Sequence, residues 1–184
     1  MITRFLIGFL ALGLLSCGGS KSDRVPASKV ESYDQLSTLI ESGAYQFNPE
    51  ILYPQETQDV ANAANALLGY FANDGAYVTV KPGYFLKIEN DSAIAKLPYI
   101  GEMTRGNSYG KIDNTGIEFN SLIKDYIVRV NKRAEIVIKF ETKGLLESYD
   151  VILKLFPNHT SDLMINSSNR SMVRYQGKIV SVTD

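Results

Sequence analysis

Residues Tyr84–Leu97 read YFLKIENDSAIAKL, and their period is two. Tyr84, Leu86 and Ile88 alternate with Phe85, Lys87 and Glu89, and beyond Asn90-Asp91 the residues Ala93, Ala95 and Leu97 resume the alternation. Successive side chains of a strand point to opposite faces, so each run presents one apolar face. Asn and Asp tolerate the backbone of a tight turn. Two alternating runs joined in this way make an antiparallel hairpin.

The same pattern runs outward through the chain. Tyr126, Val128 and Val130 share one face, and Ile136, Ile138 and Phe140 follow after Asn131-Lys132-Arg133. Tyr149, Val151, Leu153 and Leu155 come after the Lys143-Gly144 turn. Pro157-Asn158 leads to Leu163 and Ile165, and Asn166-Ser167-Ser168-Asn169 leads to Val173 and Tyr175. Lys87, Glu89, Arg129, Lys139, Glu141 and Lys154 fall on the alternate positions, which predicts one wet face and one packed face. Roughly eight or nine strands in a meander leave unpaired edges unless the sheet curls. The fold class expected is mainly β with short helices: an antiparallel up-and-down meander curled into a lipocalin-like barrel or half-barrel. A barrel of about eight strands holds a side-chain core or one small ligand.

Upstream, Ser32-Tyr33-Asp34-Gln35 fits a capping box, and Leu36, Leu39 and Ile40 recur at helical spacing before Gly43. The spacing predicts a helix over about residues 33 to 42, packed on the barrel, then a strand over roughly Ala44–Tyr53 ending at Pro54. Val60, Ala64, Leu67 and Phe71 predict a second amphipathic helix within 57–73, closed by Asn73-Asp74-Gly75.

Leu97-Pro98-Tyr99-Ile100-Gly101, a glycine-bearing loop with Tyr109-Gly110, Phe156-Pro157-Asn158 and Asn166-Ser167-Ser168-Asn169-Arg170 occur in that order. With the opening helix and a lipobox at Leu14-Leu15-Ser16-Cys17, they resemble the family known as domain of unknown function 4251, lipoproteins of Bacteroidota-type envelopes. The resemblance runs over roughly Tyr33 to Val180. The segment around Gln58 to Asn73 departs from it. The resemblance implies a barrel-like, lipocalin-type antiparallel sheet and a Gram-negative envelope location. It carries no catalytic residues over, because the family has no established activity.

The N-terminus gives an address. Phe5 to Leu15 is an unbroken apolar or glycine run behind Arg4. It is too short for a bilayer span, which takes about 20 residues, and fits a secretory signal. In a lipobox such as Leu14-Leu15-Ser16-Cys17 resembles, the cysteine is lipidated and becomes the first mature residue. Cys17 is the chain's single cysteine, so no internal disulfide can form, and lipidation would consume the free thiol. The organisation expected is a signal peptide over 1–16, a tether over 17–31 rich in Gly, Ser and charge, and one domain over 32–184. The membrane partner is then the bilayer reached through the lipid anchor, and the location is the cell envelope, at the outer membrane.

Cleavage leaves 168 of the 184 residues, with 18 basic and 20 acidic side chains. That balance argues against a nucleic-acid partner, which selects a basic surface. The single histidine, His159, sits in a turn without a metal-ligand neighbour, and tetrahedral zinc needs three or four protein ligands. A Ser-His-Asp arrangement has no support, phosphate-cradling motifs are absent, and no cofactor or catalytic residue is assigned. The chain is read as non-enzymatic.

Two sites are nominated. The loop Tyr99–Gly116, YIGEMTRGNSYGKIDNTG, is long for a hairpin connection and offers Tyr99, Arg105, Asn107 and Tyr109 for polar recognition, or else folds as a cap over one barrel end. Asp91-Ser92-Ala93 resembles an O-glycosylation sequon at Ser92. The function expected is binding, of a small apolar ligand within the barrel or of an envelope protein. The alternative is an accessory subunit of an envelope complex, docked through the Val60–Phe71 helix.

Overall fold

The computed structural model describes residues 27–54, 77–105, 112–113 and 115–182. The signal peptide, Cys17, the start of the tether and the segment around the Val60–Phe71 helix lie outside them.

Helix α1 spans Ala27–Glu41, six residues more at its start than the capping box predicts. Ser32 therefore sits inside the helix. Pro26 precedes the helix in sequence, and proline is compatible with a helical start because the first turn has no intrahelical use for its missing N–H. The far end follows expectation: Gly43 has φ +70°, its N–H donates to the Ile40 carbonyl at 3.1 Å, and Ser42 Oγ donates to the Leu39 carbonyl at 2.7 Å. Leu36 and Ile40 are buried, and α1 lies on the first strand.

The strands are β1 (Ala44–Tyr53), β2 (Val78–Thr79), β3 (Phe85–Glu89), β4 (Ser92–Leu97), β5 (Gly101–Glu102), β6 (Ile112–Asp113), β7 (Ile117–Leu122), β8 (Lys124–Val130), β9 (Ile136–Lys143), β10 (Ser148–Leu155), β11 (Thr160–Ser167) and β12 (Val173–Ser181). The main sheet runs β7-β4-β3-β1-β12-β11-β10-β9-β8, every neighbouring pair antiparallel, with β2 added on β1. The first and last long strands pair, Tyr45 opposite Ser181 through Tyr53 opposite Arg174, so the meander returns on itself as a nearly closed barrel.

The gap falls mid-chain, between β7 and β8, which follow each other in sequence yet stand at opposite ends of the ladder. Side chains draw this seam together at one end. Ser121 Oγ lies 2.7 Å from Thr142 Oγ1, donates to the Lys143 carbonyl at 2.7 Å and faces the Lys143 N–H at 3.3 Å. The Phe119 and Tyr149 rings meet with centroids 5.1 Å apart. Strand β7 was not legible in the sequence.

The interior is built of the alternate positions. Phe47, Leu52, Leu86, Ile88, Leu97, Ile117, Ile138, Val151, Leu153, Leu163, Ile165 and Tyr175 form one apolar cluster with α1. The alternation of β3, β4, β9, β10 and β11 is therefore as the sequence predicts. One expectation fails. Tyr126, Val128 and Val130 share a face, with Val128 opposite Ile138 and Val130 opposite Ile136, yet they stay 42%, 43% and 51% exposed. The cause is the seam: β8 has β9 on one side and no ladder partner on the other.

Pro49 stands in the middle of β1, where it cannot donate to either neighbour, and the β1–β12 register shifts between Pro49 and Ile51. Proline inside a sheet is confined to such irregularities. Opposite it, Gly177 lets the backbones close up: a Cβ there would lie 2.1 Å from the Asn48 carbonyl oxygen and 2.9 Å from Pro49 Cα.

Candidate functional site

The connection between β11 and β12, Asn166 to Met172, organises one end of the barrel. Arg170 and Glu147 form an ion pair, Nη2 to Oε1 at 2.8 Å and Nε to Oε2 at 3.2 Å, with side chains 13% and 8% exposed. The Ser167 hydroxyl donates to the same Glu147 carboxylate. Arg170 Nη1 also donates to the Gly116 carbonyl at 2.6 Å, and its guanidinium lies 5.3 Å from the centre of the Tyr99 ring. Asn169 Nδ2 donates to the Leu146 carbonyl at 3.2 Å. The motif thus ties the β11–β12 connection to the β9–β10 hairpin and to the end of the long loop.

The described parts of that loop are stitched down. Residues 101–102 pair with 112–113, Met103 bridges Arg170, the Thr104 N–H donates to the Asn169 carbonyl at 2.7 Å, and the Ser171 N–H donates to the Glu102 carbonyl at 2.9 Å. Tyr99 is 2% exposed, its hydroxyl 2.8 Å from Ser171 Oγ and 3.1 Å from the Ser171 carbonyl. It is part of the packing and presents no face to solvent, which corrects its nomination as a recognition residue. Arg105 is exposed at the rim. Asn107 and Tyr109 lie outside the described residues.

Around this knot opens a cleft of about 680 Å³ lined by Tyr53, Thr104, Arg105, Asn166, Met172 and Arg174, among others. Strand β1 brings Tyr53 to it and β12 brings Arg174, which pair across the ladder. Arg174 lies 5.0 Å from the centre of the Tyr53 ring and reaches Asp162 at 2.8 Å through Nη2. Arg105 has no hydrogen-bond or ion-pair partner among the described residues. Met172 is 54% exposed. The cleft therefore joins an apolar wall, Tyr53, Pro54 and Met172, to two cations. A second surface hollow, about 430 Å³, lies along the seam at Leu122, Thr142, Lys143 and Tyr149. No local pattern in the sequence marks the cleft, because its residues come from β1, the loop and the β11–β12 connection and meet only when the barrel closes.

His159 is exposed with φ +62°, a turn residue as expected. Ser92 opens β4, half-buried, with Glu89 opposite it in β3 and Leu122 opposite it in β7. Burial raises the tyrosine hydroxyls of Tyr45, Tyr126 and Tyr175 above the ordinary phenol range. Tyr45 and Tyr126 share a 2.9 Å hydroxyl contact, and Tyr175 donates to the Pro98 carbonyl at 2.6 Å. None of the three lines the cleft. Among the described residues no three of His, Cys, Asp and Glu come together as a metal site, and no helix is long and apolar enough to cross a membrane.

A family model described as Domain of unknown function (DUF4251) matches residues 27–179. The chain belongs to the DUF4251 family. The crystal structure of a DUF4251 family protein from Bacteroides eggerthii DSM 20697 superposes with a TM-score of 0.57 at 14% identity, covering 82% of this chain and 88% of that one. At that identity the likeness speaks for the fold alone. No curated protein matches the chain. The resemblance read from the LPYIG, FPN and NSSNR motifs is thereby established, and in this DUF4251 barrel the first and last of those motifs build the knot beside the cleft.

Proposed function

We propose that this DUF4251 chain is a non-enzymatic binding module of the cell envelope, lipid-anchored at Cys17, that engages its ligand from outside the barrel. The observation that carries the reading is a contrast. Inward positions are filled by large side chains, Leu153, Leu163 and Tyr175 at 0% exposure, whereas the cleft is open and within the 300–1,000 Å³ range of ligand sites. Its exposed arginines and apolar wall are the mixture that ligand sites use for orientation and affinity. The lipobox supports the anchor, since several acyl chains at about 0.8 kcal/mol per buried CH₂ hold a domain firmly. Native mass spectrometry on the mature protein, released gently from its own envelope, tests the reading. A reproducible extra mass, lost on denaturation, is expected; a bare mass throughout would overturn it.

The accessory-subunit reading has its own observation. Strand β8 is exposed along its whole length, and Leu122, Leu145 and Leu146 nearby are 67%, 96% and 85% exposed. Apolar surface gathered at an open edge suits a protein partner. Cross-linking in intact envelopes, with one reproducible partner attached through Lys124 or Lys132, would favour it.

A further inference from the structure

The cleft's chemistry narrows the kind of ligand, given the reading that the cleft is the binding site. Among the described residues its lining contains three arginines and no carboxylate. Arg170 is spent: Glu147 neutralises it, and Gly116 and Thr115 accept its remaining Nη1 bonds. Arg174 is half spent. Asp162 takes Nη2, one face lies against Tyr53, and its side chain stays 47% exposed. Arg105 is unspent. Once Glu147 and Asp162 are counted against Arg170 and Arg174, one positive charge is left over among the described residues, at the rim, on a chain whose net charge is −1. Guanidinium groups with free N–H donors recognise carboxylate and phosphate oxygens, and a pair of them fixes an anion's direction. Beside them, Tyr53, Pro54 and the half-exposed Met172 form a wall without charge, and a thioether adapts to irregular apolar ligands.

We propose that the cleft binds a small amphiphilic anion, its carboxylate or phosphate between Arg105 and Arg174 and its apolar part along Tyr53, Pro54 and Met172. The buried Arg170–Glu147 pair then acts as a positioning element: it holds the β11–β12 connection that carries Met172 and leads into Arg174.

The test is calorimetry on the mature chain with Cys17→Ser, which keeps every other residue and removes the acyl chains. The probes are decanoate, decyl phosphate, decanol and inorganic phosphate. Decanoate or decyl phosphate should bind at least about tenfold more tightly than decanol, and inorganic phosphate alone should bind weakest. Which of the two anions leads tells carboxylate from phosphate ligands. Arg105→Gln should weaken the preferred anion about tenfold, as loss of a charge-assisted hydrogen bond does. It has no partner to lose among the described residues, so it serves where Arg174→Gln disturbs folding. Lys139→Gln, on the outer face of β9, should change nothing. Decanol binding as tightly as decanoate would overturn the anion while leaving the cleft as a site. Failure of all four probes would overturn the proposed ligand class. If the natural protein still carried an extra mass, the binding reading would survive that failure; if its mass were bare, both would fall.

Discussion

Glu147 is the buried anion of the knot. It receives two bonds from Arg170 and one from Ser167 while only 8% exposed. Removing one partner of a buried pair strands the other charge, at about 3–5 kcal/mol. Glu147→Ala should therefore lower the urea midpoint steeply, whereas replacing both partners with apolar residues of similar volume should recover much of the loss. Gly177 makes a second residue-scale prediction. Any Cβ there meets Asn48 and Pro49 backbone, which cannot swing aside, so Gly177→Ala should cost at least the about 1–3 kcal/mol of overpacking, read from the same urea titration. Tyr175 gives a pH dependence. Burial keeps its hydroxyl protonated in the fold above the point, about pH 10, where an unfolded tyrosine ionises. Above that pH the unfolded state binds fewer protons, so stability is full below pH 10 and falls as pH rises. Each such tyrosine adds a slope of about 1.4 kcal/mol per pH unit. Urea midpoints between about pH 8 and 11.5 should fall, and Tyr175→Phe should show a shallower fall alongside its lost 2.6 Å bond to Pro98.

Among the elements, β8 and β9 carry the same kind of sequence and have different fates. Val128 and Ile138 face each other across one ladder, yet Val128 is 43% exposed and Ile138 fully buried. Ile138→Ala should cost about 2–5 kcal/mol, Val128→Thr less than about 1, by denaturant titration of both variants. This difference marks where sequence reading stops. Alternation reports which residues share a face, and it located β3, β4, β9, β10 and β11 because each has a partner on both sides. It carries no information on whether a face is covered, since the covering strand lies elsewhere in the chain. Strand β7 escaped because its run, Ile117 and Phe119 followed by Ser121, is short and turns polar at the seam. The start of α1 escaped because a good capping box at Ser32 competes with five further residues that extend the helix before it. Arg105 was picked out by its loop, but Tyr53, Met172 and Arg174 belong to strand ends and lacked any local mark.

For the molecule as a whole, the meander closes through its first and last long strands and leaves its gap at β7 and β8. Closure packs the interior with side chains and places the arginine-bearing cleft at one end of the barrel, outside the core. A domain anchored at Cys17 would then present an external site to the envelope space, with no need to open the barrel for exchange. Methyl-resolved NMR on the mature chain, titrated with decanoate, tests this most directly. The Met172 ε-methyl should shift to saturation while the methyls of Leu153, Leu163 and Ile138 hold their positions. Interior methyls that shift while Met172 stays fixed would place the ligand inside the barrel and contradict an external site.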